Sequence, residues 1–279
     1  MSFAVSAILS IFDLEKLDDN RFLGPQPKSA MQPLFGGHVI GQTIVAASRT
    51  IEGGRPIHSL HGYFLHPGDA SQPLTFEVER VRDGGSFSAR RVVASQSGRV
   101  IWVADTSFHD RISGFERADP MPASVDPETL PSLMEMFTRS FGTIGEWGDL
   151  DVRWGGPWPP EGEVPSGHPG HNQLWFRTKE TIPDDPVLHA AILGYTSDLT
   201  FLTPVLLPHG AFMWTPGLKV ASLDHAIWFH RPFRVDDWLL YDQLSPVASG
   251  GRGLALGTIY TGAGERVVST AQEGLVRSS

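Results

Sequence analysis

Apolar residues along the chain recur with two different periods, and the change between them outlines the predicted elements. From Phe35, "FGGHVIGQTIVAASRTI" predicts a helix that two glycines open. Its apolar residues cover more than one side, which is typical of a buried helix. Four strand-like runs follow between residues 57 and 109, separated by the turn signals "PGDASQ", "DGG" and "SG".

The same order of elements occurs a second time. After the strand "QLWFRTK", "PDDP" supplies an N-cap acid and a first-turn proline for a helix from about Val187. Four strand-like runs then follow between residues 219 and 276. Three local matches, in the same order, support an internal duplication: "VIGQT" with "ILGYT", "SLHGYFLHP" with "SLDHAIWFHRP", and "GRVIWVADT" with "ERVVSTAQE".

These patterns divide the chain into two repeats and a connector. We predict a first repeat over residues 1–110 and a second over 171–279. Residues 111–170 form the connector, with a short helix at "PETLPSLMEMFTR" and a Pro/Gly-rich segment, "RWGGPWPPEGEVPSGHPGH". One long helix for every four or five strands predicts an α+β fold in which a sheet curls around a buried helix.

Composition excludes several classes of protein. The 279 residues include no cysteine, which removes disulfides, thiolate nucleophiles and cysteine zinc sites. The formal charge is -9 without any Lys/Arg run, which argues against a nucleic-acid partner. No apolar segment approaches the length of a membrane span, and the N-terminal apolar run lacks the basic residues of a signal peptide. We therefore expect a cytoplasmic protein without a membrane partner.

Asp198 is the most unusual residue of the second predicted helix. At helical spacing it shares a face with Val187, Ala191, Gly194, Tyr195, Phe201, Leu202 and Val205. An ionised carboxylate on such a face loses its water, which is costly unless partners replace it. Asp198 is therefore outside the helix, a structural polar anchor, or a reactive group. His58, in "HSLH", is a rival base, although a strand histidine is more often structural.

The chain resembles a known family over nearly its whole length, apart from roughly residues 110–150. "LFGGHVIGQTIVAAS", "HSLHGYFLHPGD" and "RDGGSFSARRV" resemble the first half of type II acyl-CoA thioesterases, the bacterial thioesterase II and peroxisomal acyl-CoA thioesterase group. "LGYTSDLTFL", "SLDHAIWFHRPF" and "STAQEGLVR" resemble the second half. The resemblance implies a double hotdog fold, in which two tandem copies of a long helix are each wrapped by an antiparallel sheet.

The resemblance also implies an activity and its residues. Members hydrolyse acyl-CoA to free acid and coenzyme A without a metal or organic cofactor, as part of fatty acid metabolism. The residues that hold the attacking water correspond to Asp198, Ser222 and Gln272. Many members have threonine at the position of Ser222. The family implies a homo-oligomer, either a dimer or a tetramer.

Direct attack by water agrees with the residues, because cysteine is absent and no G-x-S-x-G nucleophile elbow occurs. Backbone N–H groups of Gly36 and Gly37 are candidates for the oxyanion hole, although these glycines also suit a tight turn into a buried helix. Four arginines near the "DGGSFS" turn are candidates for binding coenzyme A phosphates or are simply exposed strand residues: Arg80, Arg82, Arg90 and Arg91.

Two alternatives to hydrolysis stay open. A hotdog-fold hydratase or dehydratase places a histidine with an acid on the helix, but His189 lies nine residues from Asp198. A non-catalytic acyl-CoA-binding protein has no need of all three polar residues. In the first repeat Gln42 follows Gly41 where the second has Tyr195 after Gly194, which suggests that only the second repeat kept the acid-containing site.

Overall fold

Both repeats contribute to one antiparallel sheet of thirteen strands. A computed structural model describes residues 7–26, 32–141, 147–156 and 167–278. Within the described residues the helices and strands follow in chain order: α1 (Ala7–Ile11), β1 (Glu15–Lys16), β2 (Arg21–Gly24), α2 (Gly36–Ser48), β3 (Ile57–Phe64), β4 (Leu74–Asp83), β5 (Phe87–Gln96), β6 (Arg99–His109), α3 (Leu133–Phe141), β7 (Leu150–Trp154), β8 (His171–Thr178), α4 (Pro186–Ser197), α5 (Thr203–Leu206), β9 (Leu218–Ser222), β10 (Asp224–Phe229), β11 (Leu239–Ser249), β12 (Arg252–Thr261) and β13 (Arg266–Ser278).

The strand order has the same form in each half. It runs β1-β2-β4-β5-β6-β3 in the first half and continues β10-β13-β12-β11-β8-β7 in the second, while β9 pairs with β13. The halves join through the antiparallel pair β3–β10, where His61 lies opposite Ala226. The duplication predicted from local matches is thus present as two similar strand orders, and the predicted double hotdog fold is confirmed.

Helices α2 and α4 occupy the interior of this curved sheet. Every residue from Gly37 to Ala47 of α2 and from His189 to Ser197 of α4 is buried. The helices are antiparallel, since Gly37 approaches the Tyr195 carbonyl and Gly41 approaches that of Ala191. A β-carbon added at Gly37 would lie 2.1 Å from the Tyr195 carbonyl oxygen, a distance that real β-carbons do not reach. Glycine therefore sets how closely the two helices pack.

The predicted helix starts are confirmed. Helix α2 begins at Gly36, as the two glycines indicated. At α4, the Asp185 carboxylate accepts a hydrogen bond of 2.9 Å from the Val187 N–H, and Pro186 occupies the first turn. The carboxylate satisfies one free N–H group of the helix start, and the proline has no N–H group that needs a partner.

The connector contains more structure than the sequence indicated. Its predicted short helix is observed as a 3-10 turn at Pro127–Thr129 followed by α3. Leu150–Trp154 forms strand β7 at the edge of the sheet, although these residues were assigned to an irregular connector. Most of the Pro/Gly-rich segment, residues 157–166, lies outside the described residues.

We expect Gly37→Ala to lower the free energy of unfolding by about 1–3 kcal/mol, because the added methyl group overpacks the contact with the Tyr195 carbonyl. Urea denaturation followed by fluorescence measures the change. Gly85→Ala is the matched control, since a β-carbon there meets nothing within 4 Å. Equal stability of the two variants would contradict this account of the helix packing.

Candidate active site

Asp198 lies at the C-terminal end of α4 rather than within a longer helix. The helix ends at Ser197, and Asp198 is its C-cap residue with φ -88° and ψ -12°. The predicted continuation of the helical face to Val205 is wrong. After Ser197 the chain makes a tight turn in which the Leu199 N–H donates to the Thr196 carbonyl, and Pro204 then lies in the first turn of a separate helix, α5.

The three residues implied by the family resemblance lie side by side. Ser222 Oγ donates a hydrogen bond of 3.4 Å to Asp198 Oδ1, and Gln272 Nε2 donates one of 2.8 Å to Ser222 Oγ. The Gln272 side chain also lies near the Asp198 carboxylate and lowers its pKa. One acid, one hydroxyl and one amide from three separate elements therefore converge on a single point.

Strand pairing explains how Ser222 and Gln272 reach the helix end. Ser222 is the last residue of β9 and pairs with Gly274 of β13. Gln272 lies two residues before Gly274 on β13, and residues two apart on a strand share a face. The side chains of Ser222 and Gln272 therefore point to the same face of the sheet. That face covers the helices, and Gln272 is buried in consequence.

The opening of α2 forms the other side of the site. The Gly37 N–H lies near the Asp198 carboxylate and lowers its pKa. A β-carbon added at Gly36 would lie 2.6 Å from Asp198 Oδ2, so only glycine leaves room for the carboxylate here. The N-terminal end of one helix thus faces the acid at the C-terminal end of the other, where its N–H groups favour negative charge.

Burial raises the pKa of Asp198 to about 6 from an ordinary value of 3.8. Loss of solvation is the dominant cause, and the hydrogen bonds from Gln272, the Gly37 N–H and Ser222 oppose it. Asp198 is half-buried and borders a cavity. A carboxyl group with a pKa near 6 is ionised at pH 7 and remains basic enough to take a proton from a bound molecule.

Asp198, Ser222, Gln272 and Gly36 border a cavity of about 430 Å³. The rest of the wall is mainly apolar and includes these large side chains: Phe35, Phe64, Phe137, Trp147, Phe201, Phe212 and Trp214. Helix α3 contributes Leu133, Met134 and Phe137, so the connector completes the cavity. An apolar pocket with a few converging polar groups is the usual form of a small-molecule site.

His58 is not brought to this site. It lies on β3, where its Nε2 is 2.8 Å from Ser107 Oγ, and its ring packs against Phe87 and His109. Burial, together with the neighbouring histidines, lowers its pKa. Among the described residues, the cavity wall does not include His58. His58 therefore lies among strands of the first repeat and has the contacts of a structural histidine.

The four arginine candidates also lie away from the cavity wall that the described residues form. Arg90 is buried, and its guanidinium is hydrogen bonded to Thr50 and to Asp83. Arg91 is exposed and paired with Asp105.

Arg80 is exposed and donates to Asn20 Oδ1 at 2.9 Å, and Arg82 is exposed at the same hairpin. Arg80, Arg82 and Arg91 are exposed on the surface, whereas Arg90 is buried among its protein partners.

The structure adds residues that sequence reasoning missed. His225 of β10 is buried beside Gln272, with its Nδ1 in contact with Gln272 Oε1 and its Nε2 3.0 Å from Ser197 Oγ. Tyr241 donates a hydrogen bond of 3.1 Å to the Ser197 carbonyl. The alternation of β10 carried a signal for His225, because it shares the inward face with Ile227.

The corresponding place in the first repeat has lost these groups. Matching "VIGQT" with "ILGYT" puts Val45 at the position of Asp198. Matching "YFLHP" with "WFHRP" makes His61 and Ala226 equivalent, and these two residues face each other across the β3–β10 pair. The next residues of these strands and their partners on β6 and β13 then correspond, so Leu60 and Thr106 stand for His225 and Gln272. This pairing is shifted by one residue from the match of "GRVIWVADT" with "ERVVSTAQE", which sets the exposed Asp105 against Gln272.

Among the described residues, no cluster of three or more His, Asp or Glu side chains has the arrangement of a metal site. His171 of the "HPGH" segment is 2.7 Å from Asp242. No helix in the part of the chain that the structure describes is long and apolar enough to cross a membrane.

The fold and the site define a double hotdog protein with one acid-centred cavity in the second repeat. Two family models match: one described as acyl-CoA thioesterase over residues 159–275, and one described as the acyl-CoA thioesterase N-terminal domain over residues 25–109. The chain belongs to the acyl-CoA thioesterase family.

Individual relatives agree over the full length. Acyl-CoA thioesterase 2 of Haemophilus influenzae is 34% identical, with 100% of both chains covered. Acyl-coenzyme A thioesterase 8 of Homo sapiens is 33% identical over 97% of this chain and 88% of its own. The crystal structure of acyl-CoA thioesterase II TesB2 from Mycobacterium marinum is 46% identical with a TM-score of 0.83, and the match covers 98% of this chain and 99% of that one.

We expect Asp198→Asn to raise the free energy of unfolding at pH 8 by about 1–3 kcal/mol. The raised pKa means that the folded state holds a proton more tightly than the unfolded state. The penalty for ionising Asp198 is therefore absent well below pH 4 and complete above pH 6, and the variant never incurs it.

Urea denaturation of both proteins at pH 8 and pH 5 tests this, with the gain shrinking to about half at pH 5. The exposed Asp105→Asn is the matched control. A gain that does not depend on pH would mean that Asp198 is not the group whose ionisation opposes folding.

Proposed function

We propose that this chain hydrolyses fatty acyl-CoA to the free fatty acid and coenzyme A by direct attack of water. The observation that carries the proposal is the placement of Asp198, Ser222 and Gln272 together on the wall of one apolar cavity. The names of the full-length relatives support the same reaction.

The acyl chain lies in the cavity with its thioester carbonyl beside Asp198. The aromatic and aliphatic wall takes the hydrocarbon out of water, which is the main source of binding energy for such a group. Coenzyme A is far too polar for that wall and remains outside it. Its phosphates are predicted to contact the exposed arginines Arg80, Arg82 and Arg91.

Asp198 is the general base. The water that Ser222 and Gln272 orient gives a proton to the carboxylate as its oxygen bonds to the thioester carbon. The resulting tetrahedral intermediate then releases the coenzyme A thiolate as the carbon–sulfur bond breaks, and this sulfur takes the proton from Asp198. The products are one carboxylic acid and one thiol, and Asp198 returns to its ionised form.

The N-terminal end of α2 is placed to stabilise the charge that develops on the carbonyl oxygen. Gly36 borders the cavity, and Gly37 directs its N–H at Asp198. When Asp198 takes up the proton, it becomes a weaker acceptor, and a new negative oxygen beside it attracts the same N–H groups. These glycines are thus proposed as donors to the oxyanion.

The alternative of a hydratase or dehydratase is not favoured. Such a site pairs a histidine with an acid on the helix. His66 borders the cavity, but it is an exposed residue whose Nδ1 is 2.9 Å from the Val100 carbonyl, and neither His189 nor His225 belongs to the cavity wall within the described part of the chain. Both are buried, and His225 is occupied by Gln272 and Ser197. A non-catalytic binding protein would gain nothing from the costly partial burial of Asp198.

A homo-oligomer and a cytoplasmic location stay predictions for this chain. The sheet ends at β1 and β7, whose outer edges offer backbone groups for pairing with another copy. Light scattering coupled to size exclusion separates a monomer from the predicted dimer or tetramer.

We expect Asp198→Asn to reduce kcat by about 100- to 10,000-fold, because the amide cannot accept the proton of water. Release of free thiol from a panel of acyl-CoA lengths, followed with a thiol-reactive dye, measures the rate. Asp105→Asn, an exposed acid of the first repeat, serves as the control. Full activity in a folded Asp198→Asn protein would rule out the proposed base.

We expect Ser222→Ala to lower kcat by about 10- to 100-fold, because the water loses one of the groups that orient it. Ser222→Thr keeps the hydroxyl and is expected to stay within about tenfold of the wild-type rate. The same thiol assay at saturating acyl-CoA compares them. A Thr variant as slow as the Ala variant would show that the hydroxyl is not what matters at this position.

A further inference from the structure

We infer that His225 is a positioning residue that holds the side-chain amide of Gln272 with its NH₂ group toward Ser222 and Asp198. This inference rests on the proposed function, since it explains how the water-orienting amide is kept in its working direction. It starts from one fact of chemistry: the two ends of a glutamine amide have nearly the same shape but opposite hydrogen-bonding roles.

Ionised Asp198 accepts from Ser222 Oγ and favours the NH₂ end of Gln272, but the protonated form that follows proton transfer can also donate and no longer fixes this direction. Ser222 can donate or accept, so it tolerates either end of the amide. An amide turned by 180° would place its carbonyl oxygen beside the Asp198 carboxylate and would no longer donate to the water. Something on the far side of the amide must therefore tell its two ends apart.

His225 occupies that far side. Its Nδ1 contacts Gln272 Oε1, while Gln272 Nε2 is 2.8 Å from Ser222 Oγ on the other side. A proton on Nδ1 makes this contact a hydrogen bond to the amide oxygen. Burial lowers the pKa of His225 to about 4, so the ring is neutral at pH 7 and has one donor and one acceptor nitrogen.

The second ring nitrogen links the network back to the helix end. With the proton on Nδ1, Nε2 accepts a hydrogen bond from Ser197 Oγ at 3.0 Å. Ser197 Oγ also lies 2.9 Å from the Gly194 carbonyl, but its single proton serves one acceptor at a time. When the His225 proton is on Nδ1, the Ser197 hydroxyl donates to Nε2 rather than to the Gly194 carbonyl. Because Ser197 precedes Asp198 in the chain, the contacts close a ring through both residues.

The first repeat supplies an internal comparison. At the positions equivalent to Asp198, Gln272 and His225 it has Val45, Thr106 and Leu60. All three are buried, as their equivalents in the second repeat are largely buried. Where the acid and the amide are missing, the histidine is missing too, as expected if its role is to serve Gln272.

His225→Phe fills the same space without a donor, so we expect kcat to fall by about 10- to 100-fold with KM nearly unchanged. His225→Asn returns an N–H near the position of Nδ1 and is expected to recover most of the loss. His189→Phe is the matched control, because His189 is also buried in the second repeat and contacts the Val235 N–H instead. It is expected to leave kcat nearly unchanged.

A double-mutant cycle separates positioning from a general structural effect. If His225 acts through Gln272, adding His225→Phe to Gln272→Ala lowers kcat no further. Independent, multiplicative losses would overturn the inference, as would full activity of His225→Phe. If His225→Phe loses activity while Asp198→Asn stays active, the proposed base is wrong. The double-mutant cycle then still decides whether His225 acts through Gln272.

Nitrogen-15 NMR of histidine-labelled wild-type protein tests the inference without any variant and without turnover. We expect the His225 ring to be neutral from pH 5.5 to 8 with its proton on Nδ1. A proton on Nε2 would place the amide of Gln272 the other way round and overturn the inference, whether or not the chain hydrolyses acyl-CoA.

Discussion

Close packing of two antiparallel helices is the constraint on which the rest of the structure depends. Glycines at 37 and 41 let α2 approach the carbonyls of α4 directly. Because the helices run in opposite directions, this approach brings the N–H groups at the start of α2 against the acid that ends α4. The sheet then only has to wrap the pair to present Ser222 and Gln272 at the same point.

The acid owes its reactivity to the balance at this junction. Loss of solvation makes ionised Asp198 costly, whereas the Gly37 N–H, Ser222 and Gln272 keep it from becoming a neutral carboxylic acid at pH 7. Without those donors the pKa of Asp198 would rise further, whereas in open water it would fall to its ordinary value and make the carboxylate a weaker base. The apolar cavity and the polar cluster therefore have opposite effects on one pKa, and both are needed.

Much of the fold could be predicted from the sequence, because its signals are local. The Gly-Gly start of α2 and the Asp-Pro start of α4 are each contained within one helical turn. The strands are recognised from the alternation of apolar and polar residues along each of them. The end of α4 was missed because apolar spacing continues past Asp198 into the separate helix α5. Strand β7 was missed although Leu150, Val152 and Trp154 alternate with polar residues, because the strand is only five residues long and adjoins a Pro/Gly-rich segment.

The site was less predictable than the fold, since it depends on long-range register. Asp198 stood out as a carboxylate among apolar neighbours, but Ser222 and Gln272 were indicated only by resemblance to a family. For His225 the sequence indicated only an inward-facing position in a strand. Its role could not be predicted because its contact with Gln272 depends on strand pairing. Arg90 shows the reverse case, since its sequence context looked exposed and its guanidinium is buried by Thr50 and Asp83.

Helix α3 and Trp147 come from the segment between the repeats, yet they form part of the cavity wall. Changes in that segment alter the room for a substrate while leaving untouched the register that sets the acid, hydroxyl and amide. Part of the cavity wall is therefore encoded in a stretch of the gene separate from the one that encodes the acid, hydroxyl and amide.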